Sequence, residues 1–382
     1  MRTLRAILAV LLLLLPLTGC WSDKEVQDLN YTIAMGVDYV KDEYVVYVQF
    51  LDFITVAKVE GGQSQSSKVW VGHASDPDLT MAIAKLYQSS QQRVYWDHMG
   101  ALVFTGRLME HGYKEVIDVV NRYRESRYNI WVYGTNEEME GILSATAFFG
   151  LSSVNSILIE PTEAYKQYSS IRPIQWYEVI RDSQEASTTT IIPSLALKER
   201  TWEENKKPQK MLYMDGAHVY SNDTYRGKLT SAQLQGIQWQ EKKMERFPLV
   251  IRKGGRTQGV FMLQKPVKKV IPYWEGQTIK FRMEVKLGAV IQEVGNEAVS
   301  IEELEQLASE EVRRQLRQAY VRGVGRGMDL FRLREILYRN YNGWWKEQVQ
   351  QHGVQFLNEA SLDSIHVTVD IIHKGRYMAD ES

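Results

Sequence analysis

The chain has 382 residues, 44% of them hydrophobic and 24% charged, with a formal net charge of -1. That balance supplies no bulk basic field for nucleic acid, and a single cysteine leaves no pair for an intramolecular disulfide. The proportions are those of an ordinary globular protein, and the length gives a prior of two or three domains.

The first element in chain order is an export signal. Arg2 and Arg5 precede an apolar run to Leu15, and Leu17-Thr18-Gly19-Cys20 follows. A basic start, a short apolar core and a small-residue cleavage site predict a signal peptide over residues 1–19. The run is too short for a bilayer core, which takes about 20 apolar residues. Leu-Thr-Gly-Cys also resembles the bacterial lipobox, in which the cysteine thiol takes a diacylglycerol and the peptide is cut just before it. Cys20, the only cysteine, is therefore the expected lipid-attachment residue. Two acyl chains anchor durably where one holds marginally. The expected mature protein starts at Cys20, tethered to the outer face of the cytoplasmic membrane.

Tyr31 to Asp38 and Glu43 to Phe53 read as strands, the second with weak alternation that predicts burial on both faces. A Gly/Ser/Gln loop over Gly61 to Ser67 and a short strand from Lys68 to Gly72 follow. Ser75 or Asp76 caps the next helix, with Pro77 in its first turn and Leu79, Ala82, Ile83 and Leu86 inward. Strands over Ala101 to Thr105 and Ile130 to Gly134 alternate with helices over Tyr113 to Tyr123 and Asn136 to Leu143. Ser153 to Ser169 and Ile174 to Asp182 read as helical, interrupted at Pro161 and Pro173. Thr188 to Leu197 is strand-like. Lys198 to Lys210 is charged, nearly free of apolar residues and holds Pro208, so residues 198–210 are the expected linker. It divides an N-terminal α/β region over residues 20–197, with room for two subdomains, from a C-terminal α+β domain over residues 211–382.

Beyond it, Met211 to Tyr220 and Thr224 to Lys228 read as a hairpin, and Ser231 to Gln240 as a short helix. Phe247 to Ile251, Thr257 to Ile271 and Thr278 to Gln292 are strands. The clearest helix opens on the capping box Ser300 and Glu303, and Ile301, Leu304, Leu307, Ala308, Val312, Leu316, Ala319 and Tyr320 recur at helical spacing. A helix over Met328 to Tyr341 and a strand over Asp363 to His373 close the chain. The order predicts a mixed α/β or α+β multidomain fold, each domain a β-sheet with helices against it, the C-terminal sheet largely antiparallel.

No residue pattern points to catalysis. The seven histidines lack the spacing of helical metal ligands, and no thiol lies near to join them. Gly62-Gln63-Ser64-Gln65-Ser66 lacks the closing glycine of a nucleophile elbow. Gly323-Val324-Gly325-Arg326-Gly327 follows a helix, so it reads as a helix end and tight turn, not a dinucleotide loop. Glu203-Glu204 and Glu302-Glu303 read as solvated pairs. Arg313, Arg314, Arg317, Arg322, Arg326, Arg332, Arg334 and Arg339 read first as a solvated helix face, with anionic lipid or an acidic partner as the alternative. No enzyme, cofactor, metal or nucleic acid is expected. A lipid-anchored solute-binding protein of a transporter is compatible with these features.

An ordered set of motifs resembles the Ger(x)C spore-germination lipoproteins, the C subunits of nutrient germinant receptors. The mature start of that family is similar to Cys20, Trp21, Glu25, Val26 and Leu29, then Gly36, Val37 and Asp38, with Ser22 departing from the usual aspartate. Asp76-Pro77, Tyr95-Trp96-Asp97-His98 and Gly106 follow in order. So do Asp215, Gly216 and Val219; Gly227, Leu229 and Thr230; and Gly236, Ile237 and Trp239. Near the end stand Asp329, Leu330, Phe331 and Trp345, with Arg332 and Arg334 where the family has glycines. The resemblance implies a noncatalytic protein of several α/β domains. It also implies partnership with membrane-embedded A and B type receptor subunits, on the spore inner membrane.

Overall fold

The computed structural model describes residues 29–51, 68–122, 127–295, 299–353 and 355–373. The expected signal peptide, Cys20 and the Gly/Ser/Gln loop lie outside them.

The chain opens on a hairpin. Strand β1 (Leu29–Val40) turns into β2 (Glu43–Leu51) through Lys41 and Asp42, both at positive φ. That is the two-residue turn whose twist matches paired strands. β3 (Val69–Asp76) adds an edge. Ser75 and Asp76 pair with Val45 and Tyr44, so neither is the helix cap. Asp78 takes that role, accepting the Met81 N–H at 3.1 Å at the head of α1 (Leu79–Ser89). Next come β4 (Arg93–Tyr95), β5 (Ala101–Thr105), α2 (Gly106–His111), α3 (Lys114–Arg122) and β6 (Trp131–Thr135). The strands β1, β5 and β6 run parallel. Helix α2 has no apolar stripe long enough to announce it; the Thr105 side chain caps it.

Burial corrects the expectation for the first two strands. β2 alternates between buried and half-buried positions, whereas β1 is buried on both faces over eight consecutive residues. The reason is layering. Met35 and Val37 face a core built with α1, α2 and α3, while Ala34 faces a second core under α4 (Met139–Ser144). Gly36 leaves room there for the Met139 thioether, which a Cβ would displace.

The expected long helix over Ser153 to Ser169 is only α5 (Pro161–Gln167), preceded by a short 3-10 turn over Ser153–Asn155. Ile174 and Gln175 form the short strand β7 beside β6, and α6 (Trp176–Gln184) follows.

The segment expected as a linker is paired strand. Residues 198–210 form the exposed far end of a ribbon made by β8 (Thr189–Glu204) and β9 (Lys207–Ser221), paired down to Glu204 and Lys207. Its charge and polarity reflect two strands without a covering layer. β9 and β10 (Thr224–Thr230) pair onto the sheet of the first half. Among the described residues that sheet has ten strands, ordered β10-β9-β8-β6-β5-β1-β2-β3, with β4 beside β1 and β7 beside β6.

Helix α7 (Ser231–Leu234) is short. The expected helix to Gln240 breaks at Gly236, which holds φ 116° and leads into a 3-10 turn over Ile237–Gln240. A Cβ at that glycine would collide with the Gln315 carbonyl, so the break is a close approach that only glycine permits.

The second sheet runs β11 (Phe247–Lys253), β12 (Arg256–Glu275), β13 (Thr278–Val294) and β14 (Leu362–His373). The first three are antiparallel and β14 is parallel to β13. A parallel neighbour needs a crossover. It is supplied by α8 (Ile301–Val324), α9 (Leu333–Asn340) and α10 (Asn342–His352). Ser300 caps α8 by accepting the Glu303 N–H at 3.2 Å. Leu304, Ala308, Val312, Leu316, Ala319 and Tyr320 are buried on the sheet with Phe261 and Phe281. The same core takes in Ile171, Ala217, Val219 and Leu229 from the first half, so apolar packing crosses the seam.

Candidate functional site at the seam between the halves

Among the described residues, no group of three or more His, Cys, Asp or Glu is placed to hold a metal, and no helix is long and apolar enough to cross a membrane. The histidines are scattered. His111 stacks on Tyr39 with ring centroids 3.6 Å apart, and His98 packs edge-on to Tyr31. His218 is fully buried with Nδ1 2.8 Å from the Tyr225 hydroxyl, and burial pulls its pKa down to about 4.

Several buried charged residues lie where the two halves meet. Helix α8 ends in the glycine run: Gly325 N–H bonds the Val321 carbonyl, Met328 N–H bonds the Gly323 carbonyl at 2.8 Å, and Gly327 sits at φ 68°. This is the helix end the run predicts. The chain then passes through Asp329 to Arg334. The Asp329 carboxylate, 3% exposed, accepts the N–H groups of Leu333 at 3.0 Å and Arg334 at 2.8 Å, which caps α9. The cap explains why that helix starts at Leu333 and not at Met328.

The basic stretch is consequently not one solvated face. Arg334 is 2% exposed, pairs with Asp329 at 3.5 Å and donates to the Ser221 hydroxyl at the end of β9. Arg332 reaches Asp182 on α6 at 3.2 Å, and Arg339 reaches Glu185 at 2.7 Å. Arg317 donates to the Leu362 and Asp363 carbonyls, and Arg322 to the Gln233 carbonyl. Arg313 and Arg326 do face water. Arg332 also holds φ 56°, a left-handed conformation costing a non-glycine residue of order 1 kcal/mol. The backbone therefore keeps at residue 332 the shape that glycine favours, and the guanidinium uses it to reach the other half.

Two hollows flank this joint. One is a cleft of about 390 Å³ reaching from Arg172 and Glu178 to Lys268 and Phe331. Arg172 makes bonds of 2.9 and 3.1 Å to the Glu178 carboxylate. Burial alone would raise that carboxyl's pKa, but the bonds and charge of Arg172 outweigh it and hold it low. The other is a groove of about 930 Å³, lined in part by Tyr168, Tyr213, Leu249 and Val250. Asp182, Ser221 and Arg334 are separated by tens of residues, and no spacing in the sequence marks them as parts of one joint.

The family motifs fall on the joints of this architecture. Asp38 is buried and accepts Thr105 and Arg107. A Cβ at Gly216 would meet the Leu229 carbonyl. Trp239 is buried with its indole N–H 2.7 Å from Gln315 Oε1.

The profile described as "Spore germination protein N-terminal domain" matches residues 22–197, and "Spore germination B3/ GerAC like, C-terminal" matches residues 215–375. The chain belongs to the Ger(x)C family of spore germination proteins. The interval between the two matched regions is the far part of the β8–β9 ribbon. This Ger(x)C chain is 23% identical to spore germination protein KC of Bacillus subtilis (strain 168), over 94% of this chain and 93% of that one. It is also 23% identical to the putative spore germination protein YfkR of the same organism, over 56% of this chain and 54% of that one. The crystal structure of the GerBC protein matches with a TM-score of 0.53 at 16% identity, covering 91% of this chain and all of GerBC. That likeness shows a shared Ger(x)C fold of mixed sheets backed by helices.

Proposed function

We propose that this Ger(x)C chain is the noncatalytic, lipid-anchored subunit of a spore nutrient germinant receptor. It acts with membrane-embedded A and B type subunits and is required for the germinant response. Cys20 carries the lipid and holds the folded part on the outer face of the spore inner membrane. The observation that carries the reading is order: both family regions, residues 22–197 and 215–375, follow directly behind a lipobox ending at Cys20. The noncatalytic role is supported by how its polar side chains are spent. Asp182, Asp329, Arg332 and Arg334 are taken up in joining the halves.

A solute-binding lipoprotein is the second reading, favoured by the cleft between the halves. Solute-binding lobes of that kind are doubly wound around parallel strands, whereas β11, β12 and β13 are antiparallel. Deleting the coding region and scoring spores on a nutrient panel separates the two. Loss of response to one nutrient class with normal uptake in growing cells is expected. Normal germination on every nutrient, or a defect in uptake instead, contradicts the proposal.

A further inference from the structure

The cleft at the seam has an apolar floor and a cationic wall. Ile171 and Ile191 come from the first half, and Leu330 and Phe331 from the second. Of its six cations, three are already spent. Arg172 is bound to Glu178, with Glu241 at 3.4 Å, while Arg181 and Arg332 share Asp182. Lys242, Lys243 and Lys268 also line it, and among the described residues none has a carboxylate within ion-pair distance. The Lys268 ammonium instead donates to Gln240 Oε1 at 2.9 Å. Lys268 keeps solvent-accessible surface, but the cleft walls crowd it, and that desolvation lowers its pKa. It is a cation without a carboxylate in direct contact, with Glu241, Asp329 and Glu335 acting on it only from farther away.

A second observation concerns Gln238, which lies between the two hollows, lines both and is 3% exposed. Its Oε1 accepts the Gly236 N–H at 2.9 Å, while its Nε2 has no hydrogen-bond partner among the described residues. A buried donor left unpaired is costly, and a ligand acceptor would relieve it. Lysines without a directly bonded carboxylate and a spare amide donor ask for an anionic acceptor; the floor asks for apolar surface. A volume of about 390 Å³ lies in the range of small-molecule sites.

We propose that this cleft binds a small organic anion, a carboxylate with an apolar body. The carboxylate is held by the three lysines and the Gln238 amide, and the body covers the floor between Ile191 and Phe331. Such a ligand touches both halves, so its binding stiffens the seam. The inference stands whether or not the chain serves a germinant receptor.

The test titrates the full chain, purified in mild detergent, with benzoate, benzamide and inorganic phosphate at matched ionic strength. Calorimetry and thermal unfolding report binding. Benzoate is expected to bind saturably and raise the melting temperature. Benzamide has the same body without the charge, phosphate has charge without the body, and both are expected to bind at least about tenfold more weakly, roughly 1.4 kcal/mol. The Lys243→Met/Lys268→Met variant is expected to keep its ligand-free melting temperature and lose benzoate affinity by a similar factor. If that pair disturbs folding, Lys268→Gln alone serves, with a smaller loss. Absence of saturable benzoate binding, equal binding of benzamide or phosphate, or unchanged affinity in a folded variant overturns the proposal.

Discussion

Arg334 on α9 donates to the Ser221 hydroxyl at the end of β9, and both residues are buried although 113 positions separate them. Ser221 also lies 3.2 Å from the Thr189 hydroxyl and accepts the Asp329 N–H at 3.4 Å. One side chain of the first half thus closes against the cap of a helix in the second.

Arg334→Met is expected to cost about 3–5 kcal/mol, because it strands the buried Asp329 charge without its cation. Chemical denaturation measures the loss. Arg334→Met/Asp329→Asn should recover part of it. A double variant as unstable as the single one would mean the lost guanidinium bonds, not the stranded charge, carry the cost.

Leu304 and Leu316 are both fully buried under the C-terminal sheet, so truncating either to Ala should cost about 2–5 kcal/mol. Arg313→Glu, on the exposed side of α8, should leave the melting temperature unchanged. Arg317 differs. It anchors the start of β14 through carbonyls, and Arg317→Met should cost about 1 kcal/mol or more.

Helix α8 is the most legible part of the sequence. Its capping box and apolar spacing are local signals, and cap, helix and buried face all lie where that pattern predicts. The strand set of the first half is similarly local. What the sequence hides is pairing. Met211 to Tyr220 reads as strand, yet nothing within it says that its partner is β8 across a polar ribbon. Residues 198–210 consequently read as a linker. The helix break at Gly236 depends on a carbonyl of α8 about 80 residues away. The seam is least legible for the same reason. Arg334 looks like one more arginine on a helix until Ser221 is beside it.

The pH dependence of stability should carry the signature of His218. Its folded pKa of about 4, lowered first by burial and then by Lys228, with Asp215 opposing, lies below the usual 6.5. The unfolded chain therefore binds more protons between those values, and stability falls as pH drops through that window. The ceiling on this contribution is about 3 kcal/mol. His218→Gln should flatten the slope between pH 6.5 and 4 relative to the parent and leave the slope above pH 7 unchanged. An equal slope in both proteins would place the acid sensitivity elsewhere.

Anchoring should depend on Cys20 alone. Cells fed labelled palmitate are expected to label the parent chain and not Cys20→Ala, which should leave the detergent phase on partitioning. Label in the Cys20→Ala chain would remove the lipobox from the account.

The most direct test is what the full chain holds on to in spore membranes. A tagged chain, solubilised gently from spore inner membranes and purified by its tag, is expected to bring down two membrane-embedded subunits, one of A type and one of B type, in comparable amounts. Recovery of the chain alone, or with a transporter permease in their place, would contradict the assignment to a germinant receptor.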